Sequence, residues 1–129
     1  FLKEAEAAFT DGDYATCVRR SQETVEMSLK GVLRMLGLEY PTRHDVGDAL
    51  AELSDRTDLP EWFRSAVPQM TRASRILAEK RGPAFYGDET AGTPPSALFE
   101  IKDGEEALST ARRVQSMCRR IVESEETNS

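Results

Sequence analysis

Residues 14–37 read YATCVRRSQETVEMSLKGVLRMLG, and this stretch decides the fold class of the chain. Its apolar and small residues recur at three- and four-residue steps, which places them on one face of an α-helix for about six turns. Asp13 is the predicted N-cap of this helix and Gly37 its predicted end. The face consists of Cys17, Val18, Ser21, Val25, Ser28, Leu29, Val32, Leu33 and Leu36.

The same period recurs on both sides of this helix. Residues 2–9 and residues 46–53 each carry a short helical pattern of apolar side chains. A third pattern runs from residue 60 to residue 80, where Pro68 either kinks one helix or starts another. Three more helical segments are therefore expected before residue 81.

The C-terminal part of the chain predicts a long last helix. Asp103 followed by Glu106 has the spacing of a capping box, and apolar residues continue the helical period after it. Residues 97–101 give only a weak strand pattern. The predicted fold is therefore all-α, an antiparallel bundle of four to five helices, with one domain over residues 1–126 and a polar tail at 127–129.

Charge and composition limit the classes of function. The 129 residues carry a net charge of −6, so the molecule repels nucleic acid unless its positive charges lie on one face. No apolar run approaches the roughly 20 residues of a membrane span, so no membrane partner is expected. Two cysteines within apolar helical patterns fit a reducing, cytoplasmic compartment. The chain begins at Phe1 and not at a methionine, and residues 1–15 contain no signal-peptide pattern.

Gln22, Glu26 and Lys30 form the first polar constellation, because their four-residue spacing places them on one helix face. Glu26 before Lys30 is the favourable order for a helical ion pair. The simplest interpretation is a solvated, salt-bridged face. A site on this face is the alternative.

The second constellation is RGPAFYGDE, residues 81–89, at the end of a basic stretch. Gly82 and Pro83 are expected to end the preceding helix and to start a loop over residues 82–102, in which the two aromatic residues anchor a turn. Arg81 offers a fork to phosphate, and the ring of Tyr86 is able to stack on a base. The candidate nucleotide- or RNA-binding residues are Arg72, Arg75, Lys80, Arg81, Tyr86 and Asp88.

The single histidine limits the chemistry. His44 stands at the predicted start of a helix, where capping is the simpler role and acid–base chemistry the alternative. Cys17 and Cys118 lie in apolar helical patterns, which predicts buried thiols. No spacing typical of a metal site is present, and neither a metal nor another cofactor is predicted.

Several of these pieces together resemble one family. Residues 15–50, ATCVRRSQETVEMSLKGVLRMLGLEYPTRHDVGDAL, resemble the first half of the HEPN domain, with its Gln-x3-Glu-x3-Lys helix, glycine turn and Thr-x-His-Asp helix start. RGPAFYGDE, the following prolines and the last helix resemble a prokaryotic, often archaeal, branch of that family. The resemblance implies a small all-α bundle that forms a homodimer, and a minimal nucleotidyltransferase as partner in a toxin–antitoxin-like pair.

Some members of the family are toxins that cleave RNA without a metal through an Arg-x4-6-His motif. Here Arg81 matches the arginine, but no histidine follows it. Proton transfer near neutral pH suits a histidine with a pKa near 6.5 and not a tyrosine with a pKa of about 10. We therefore expect a protein that binds a nucleotide or RNA and is not an enzyme. The alternatives are a metal-independent ribonuclease using Arg81 with Tyr86 or His44, and a purely structural interaction module.

Overall fold

The computed structural model describes residues 1–38 and 46–128, and it confirms the predicted all-α fold. Two short helices and one 3-10 turn, Glu52–Asp55, connect the longer ones. The six α-helices are α1, Leu2–Thr10; α2, Tyr14–Met35; α3, Gly47–Ala51; α4, Glu61–Tyr86; α5, Pro95–Leu98; and α6, Ile101–Asn128.

Helix α2 is the central element, because it packs against α1, α4 and α6. Its predicted limits are confirmed. The Asp13 carboxylate accepts a hydrogen bond from the Thr16 amide at 3.1 Å, which caps the first turn. Gly37 follows the last turn with a φ of 72°, a left-handed conformation that glycine adopts without steric cost.

The core lies where the apolar faces of α2, α4 and α6 meet the residues around α3. Each large apolar side chain buried there contributes about 1.5–3 kcal/mol relative to an exposed one. The largest fully buried side chains include Phe63, Leu29, Leu33, Leu50, Leu53, Met70 and Ile121.

Helix α4 is longer than the sequence pattern predicted. It passes through Pro68 and through Gly82 and Pro83 and ends only at Tyr86, so the prediction of a helix end near residue 81 was wrong. Both prolines are exposed, where the missing N–H costs one backbone hydrogen bond. The buried side chain of Ala84 continues the apolar face of the helix beyond them.

The segment after α4 reverses the chain in a short distance. Gly87 has a φ of 74°, and a Cβ at this position would overlap the carbonyl oxygen of Thr93. Asp88 and Thr93 exchange both backbone hydrogen bonds, at 2.8 and 2.9 Å. This isolated bridge fixes the turn that leads to α5. The loop expected over residues 82–102 is therefore shorter, because α4, α5 and α6 occupy part of that range.

Helix α6 begins at Ile101, before its predicted start. Asp103 is not the N-cap. It lies in the first turn, and its carboxylate accepts a hydrogen bond from the Glu100 amide at 2.8 Å, which is the backward half of a capping box. The weak strand pattern at 97–101 was wrong, since residues 97 and 98 end α5, residues 99 and 100 link the two helices, and residue 101 starts α6. The helix also continues through the predicted polar tail as far as Asn128.

Candidate functional site

Arg81 lies on the side of α4 that faces α2. It follows Leu77, Ser74 and Met70 at intervals of four, seven and eleven residues, which is the spacing of one helix face, and all three are buried. The Arg81 guanidinium donates a hydrogen bond to Oε1 of Gln22 on α2 at 3.0 Å. Within residues 1–38 and 46–128, no carboxylate pairs with this guanidinium, so its charge has only a neutral partner there.

The polar face of α2 is largely buried and is not a solvated surface, which corrects the simplest interpretation of its sequence. The Gln22 side chain is 3% exposed, and its amide nitrogen lies 3.5 Å from Oε1 of Glu26. Glu26 forms the predicted ion pair with Lys30 at 3.6 Å, and these two side chains are only 12% and 15% exposed. One ion pair and two hydrogen bonds therefore connect Lys30 on α2, through Glu26 and Gln22, to Arg81.

A second contact joins the two helices one turn away. The guanidinium carbon of Arg19 lies 4.9 Å from the centre of the Phe85 ring, a cation–π arrangement. The Nε atom of Arg19 is buried and has no hydrogen-bond partner among the described residues. Arg19 precedes Gln22 by three residues, and Phe85 follows Arg81 by four, so both contacts lie along the same edge.

The two aromatic side chains at the end of α4 do not anchor a turn, contrary to the prediction. Phe85 is 51% exposed and Tyr86 64% exposed, and their ring centroids are 4.7 Å apart. Two large exposed rings in contact are typical of an interaction surface. We call the surface formed by Arg19, Gln22, Arg81, Phe85 and Tyr86 the α2–α4 edge.

The α2–α4 edge combines two guanidinium groups with two exposed rings. Arginine forks bind phosphate oxygens in pairs, and aromatic rings stack on bases without sequence preference. Such a set is suited to a nucleotide or to a short stretch of single-stranded nucleic acid. Sequence reasoning missed Arg19, although its position one turn before Gln22 on the same helix face was a usable signal.

The other predicted binding residues lie elsewhere. Arg72 precedes Arg81 by nine residues, or two and a half turns, and is exposed on the opposite side of α4. Arg72 and Lys80 line a groove of about 600 Å³ between α4 and α6, and Arg75 is exposed beside it. Asp88 is exposed in the turn after α4, where its carboxylate accepts from the Ala91 amide at 3.1 Å.

His44 lies outside the described residues. The two cysteines are free and buried, as predicted. Burial raises the pKa of the Cys118 thiol to about 12, and desolvation also raises the pKa of the Cys17 thiol, so both stay protonated near neutral pH. In residues 1–38 and 46–128, no group of three or more acidic, histidine or cysteine side chains is arranged to hold a metal ion.

The fold and this edge together define a small helical bundle with an arginine and aromatic surface between two of its long helices. Comparison with protein families finds one model, described as the HEPN domain, which matches residues 1–121. The chain therefore belongs to the HEPN domain family. No curated protein and no solved structure matches it. None of the described helices is long and apolar enough to cross a membrane.

Proposed function

We propose that this protein binds a nucleotide or RNA at the α2–α4 edge. The observation that supports this most directly is the half-buried Arg81 guanidinium, held by the neutral oxygen of Gln22. A guanidinium has five N–H donors, and within the described residues one hydrogen bond to a side chain is formed. The remaining donors and the full positive charge are available to a phosphate. A nucleotide- or RNA-related role also fits the family to which the chain belongs.

We infer binding without RNA cleavage. Cleavage through a 2′-hydroxyl needs a group that exchanges a proton near neutral pH, and no histidine follows Arg81 in the sequence. Tyr86 stands five residues after Arg81 and is largely in solvent. A phenol is less suited than an imidazole to this proton exchange.

The proposed assembly is a homodimer in the cytoplasm, with a minimal nucleotidyltransferase as a further partner. A groove of about 480 Å³ runs between α2 and α6, and the half-exposed Met27 lines it beside the small residues Ser28 and Gly31. Small residues permit close approach of a second helix, and a two-fold dimer uses the same patch on both chains. Light scattering at micromolar concentration measures the mass, and a monomer there would contradict the dimer.

The binding proposal is tested with AMP as the probe and Arg81→Ala as the variant. Hydrogen bonds to charged groups contribute about 1.5–3 kcal/mol, so the variant should bind AMP roughly ten- to a hundredfold more weakly. Arg56→Ala is the matched control, since Arg56 is paired with Asp58 and lies outside the α2–α4 edge. If Arg81→Ala folds and binds AMP as well as Arg56→Ala does, the α2–α4 edge is not the site.

A cleavage assay separates binding from catalysis. Purified protein treated with a chelator is incubated with RNA, and the products are compared with those of Arg81→Ala. No cleavage is expected from either protein. Cleavage that persists with chelator and disappears in a folded Arg81→Ala variant would establish the ribonuclease alternative. Absence of both nucleotide and RNA binding at low salt would favour the structural module.

A further inference from the structure

The outward face of α6 carries a run of arginines that the α2–α4 edge does not use. Arg112, Arg113, Arg119 and Arg120 are all exposed, and no acidic residue stands between residues 107 and 122. The two pairs are seven residues apart, so they lie on one face at a distance of about 10.5 Å along the helix. This is a concentrated positive charge on a chain whose net charge is −6.

Two depressions extend this positive surface on both sides of α6. One is the 600 Å³ groove towards α4, where Arg113 faces Arg72 and Lys80. The other is a depression of about 370 Å³ that is lined by the remaining three arginines of the run. We call the six cations the basic α4–α6 face: Arg72, Lys80, Arg112, Arg113, Arg119 and Arg120.

Part of this charge is compensated within the molecule. Arg112 pairs with Glu6 at 3.5 Å, and the guanidinium of Arg120 lies 4.0 Å from the Trp62 ring centre. Glu105, Glu106 and Glu123 border the two depressions. Six cations against Glu6 and these three carboxylates still leave an excess of positive charge. Arg113 and Arg119 have no ion pair or hydrogen bond from their side chains in the described part of the chain.

We propose that the basic α4–α6 face binds the sugar–phosphate backbone of an RNA strand whose end or exposed base occupies the α2–α4 edge. This inference rests on the proposed function and specifies its ligand as RNA longer than a mononucleotide. Arginine is the residue suited to phosphate, because its planar fork binds two oxygens at once. The acidic remainder of the surface repels a polyanion and so directs it to this face.

The test is a double variant, Arg113→Gln with Arg119→Gln, in which neither change breaks a hydrogen bond or an ion pair between described residues. Binding of a single-stranded oligo(A) of about 20 nucleotides is measured at several KCl concentrations between about 50 and 200 mM. Two lost phosphate contacts should reduce the slope of log affinity against log salt by about 1.4 and the affinity at about 100 mM salt roughly tenfold. AMP binding and the unfolding midpoint should not change. The mass by light scattering should not change either, and it is measured because Arg119 also lines the groove between α2 and α6.

The control variant is Lys3→Gln with Arg56→Gln, which removes two positive charges elsewhere on the surface. If the arginine double variant binds oligo(A) with the same affinity and slope as this control, the basic α4–α6 face does not bind RNA. If poly-aspartate competes with oligo(A) as effectively as unlabelled RNA does, the face accepts acidic proteins equally well and the RNA assignment falls.

The two proposals fail in different ways. In one outcome, Arg81→Ala loses AMP binding, while the Arg113 and Arg119 changes leave oligo(A) binding unaltered. This outcome supports the α2–α4 edge and refutes RNA binding by the basic α4–α6 face. In the opposite outcome, oligo(A) binding depends on Arg113 and Arg119 and AMP does not bind. This outcome supports the basic α4–α6 face and refutes nucleotide binding at the α2–α4 edge. Loss of oligo(A) affinity in both Arg81→Ala and the double variant is the result expected when one strand crosses both surfaces.

Discussion

Replacing Gln22 by glutamate tests the α2–α4 edge at a single buried atom. The side chain keeps its shape, and its Oε1 already accepts from Arg81 at 3.0 Å. A carboxylate would accept the same hydrogen bond and would also neutralise the guanidinium. Opposite unit charges about 4 Å apart attract by about 4 kcal/mol at an effective dielectric constant near 20. A ligand phosphate would have to compete with that attraction.

The half-exposed position of Arg81 weakens this attraction, since water screens part of the charge. A residual effect of about 1.5–3 kcal/mol corresponds to AMP binding that is roughly ten- to a hundredfold weaker in Gln22→Glu. The new carboxylate also approaches Glu26, whose Oε1 lies 3.5 Å from the present amide nitrogen. Repulsion between the two acids should offset part of the gain from the new ion pair, so thermal stability should change little.

The assay is calorimetric titration with AMP alongside a thermal melt. Gln69→Glu is the matched control, because it adds the same charge at an exposed position of α4 away from Arg81. Gln22→Leu serves as a second variant that removes the acceptor without adding a charge, and it should weaken AMP binding as well. AMP binding by folded Gln22→Glu within twofold of the control would refute the assignment of Arg81 as the phosphate-binding group.

Two further predictions concern the core and its ionisation. The Cys118 thiol has a pKa of about 12 in the folded protein, whereas a thiol in the unfolded chain ionises near pH 9. Between these values only the unfolded state loses this proton, so rising pH favours unfolding. Relative to Cys118→Ala, the wild type should therefore lose about 2 kcal/mol of unfolding free energy by about pH 10.5 and nothing below about pH 8. The same dependence of the unfolding free energy on pH in both proteins would contradict this prediction. Phe63→Ala should cost about 3–5 kcal/mol in urea unfolding because Phe63 is fully buried, while Phe85→Ala on the same helix should cost under about 1 kcal/mol and weaken RNA binding through lost stacking. Equal losses of stability in the two variants would show that the core assignment of α4 is wrong.

The sequence was sufficient for α2 because all its signals agree. Its apolar stripe, the cap at Asp13 and the glycine at residue 37 each predict the same limits. In α4 the signals conflict, since Gly82 and Pro83 favour a break while Leu77 and Ala84 continue the apolar face. The helix continues because packing of the buried face outweighs the cost at the proline. An exposed proline loses one backbone hydrogen bond, whereas a break there would remove Ala84 from the apolar face.

The site was predicted in parts and could not be assembled from the sequence. Gln22 and Arg81 were both recognised, but they are 59 residues apart and lie on different helices. Their contact depends on the axial position of α4 against α2, which no local pattern encodes. The continuity of α4 also separates Arg72 from Arg81. The two residues are nine positions apart, which is two and a half helical turns, so their side chains leave opposite sides of the helix. The basic residues that lead up to Arg81 in the sequence therefore lie on two surfaces, on opposite sides of α4.

The position of Arg81 is itself an argument for a ligand. A guanidinium on the core-facing side of α4 loses part of its hydration, and a hydrogen bond to a neutral amide replaces that loss incompletely. Apolar side chains in place of Gln22 and Arg81 would stabilise the fold as much or more. The arrangement becomes favourable when an anion supplies the missing charge, so at the same AMP concentration the unfolding midpoint should rise more in the wild type than in Gln22→Glu.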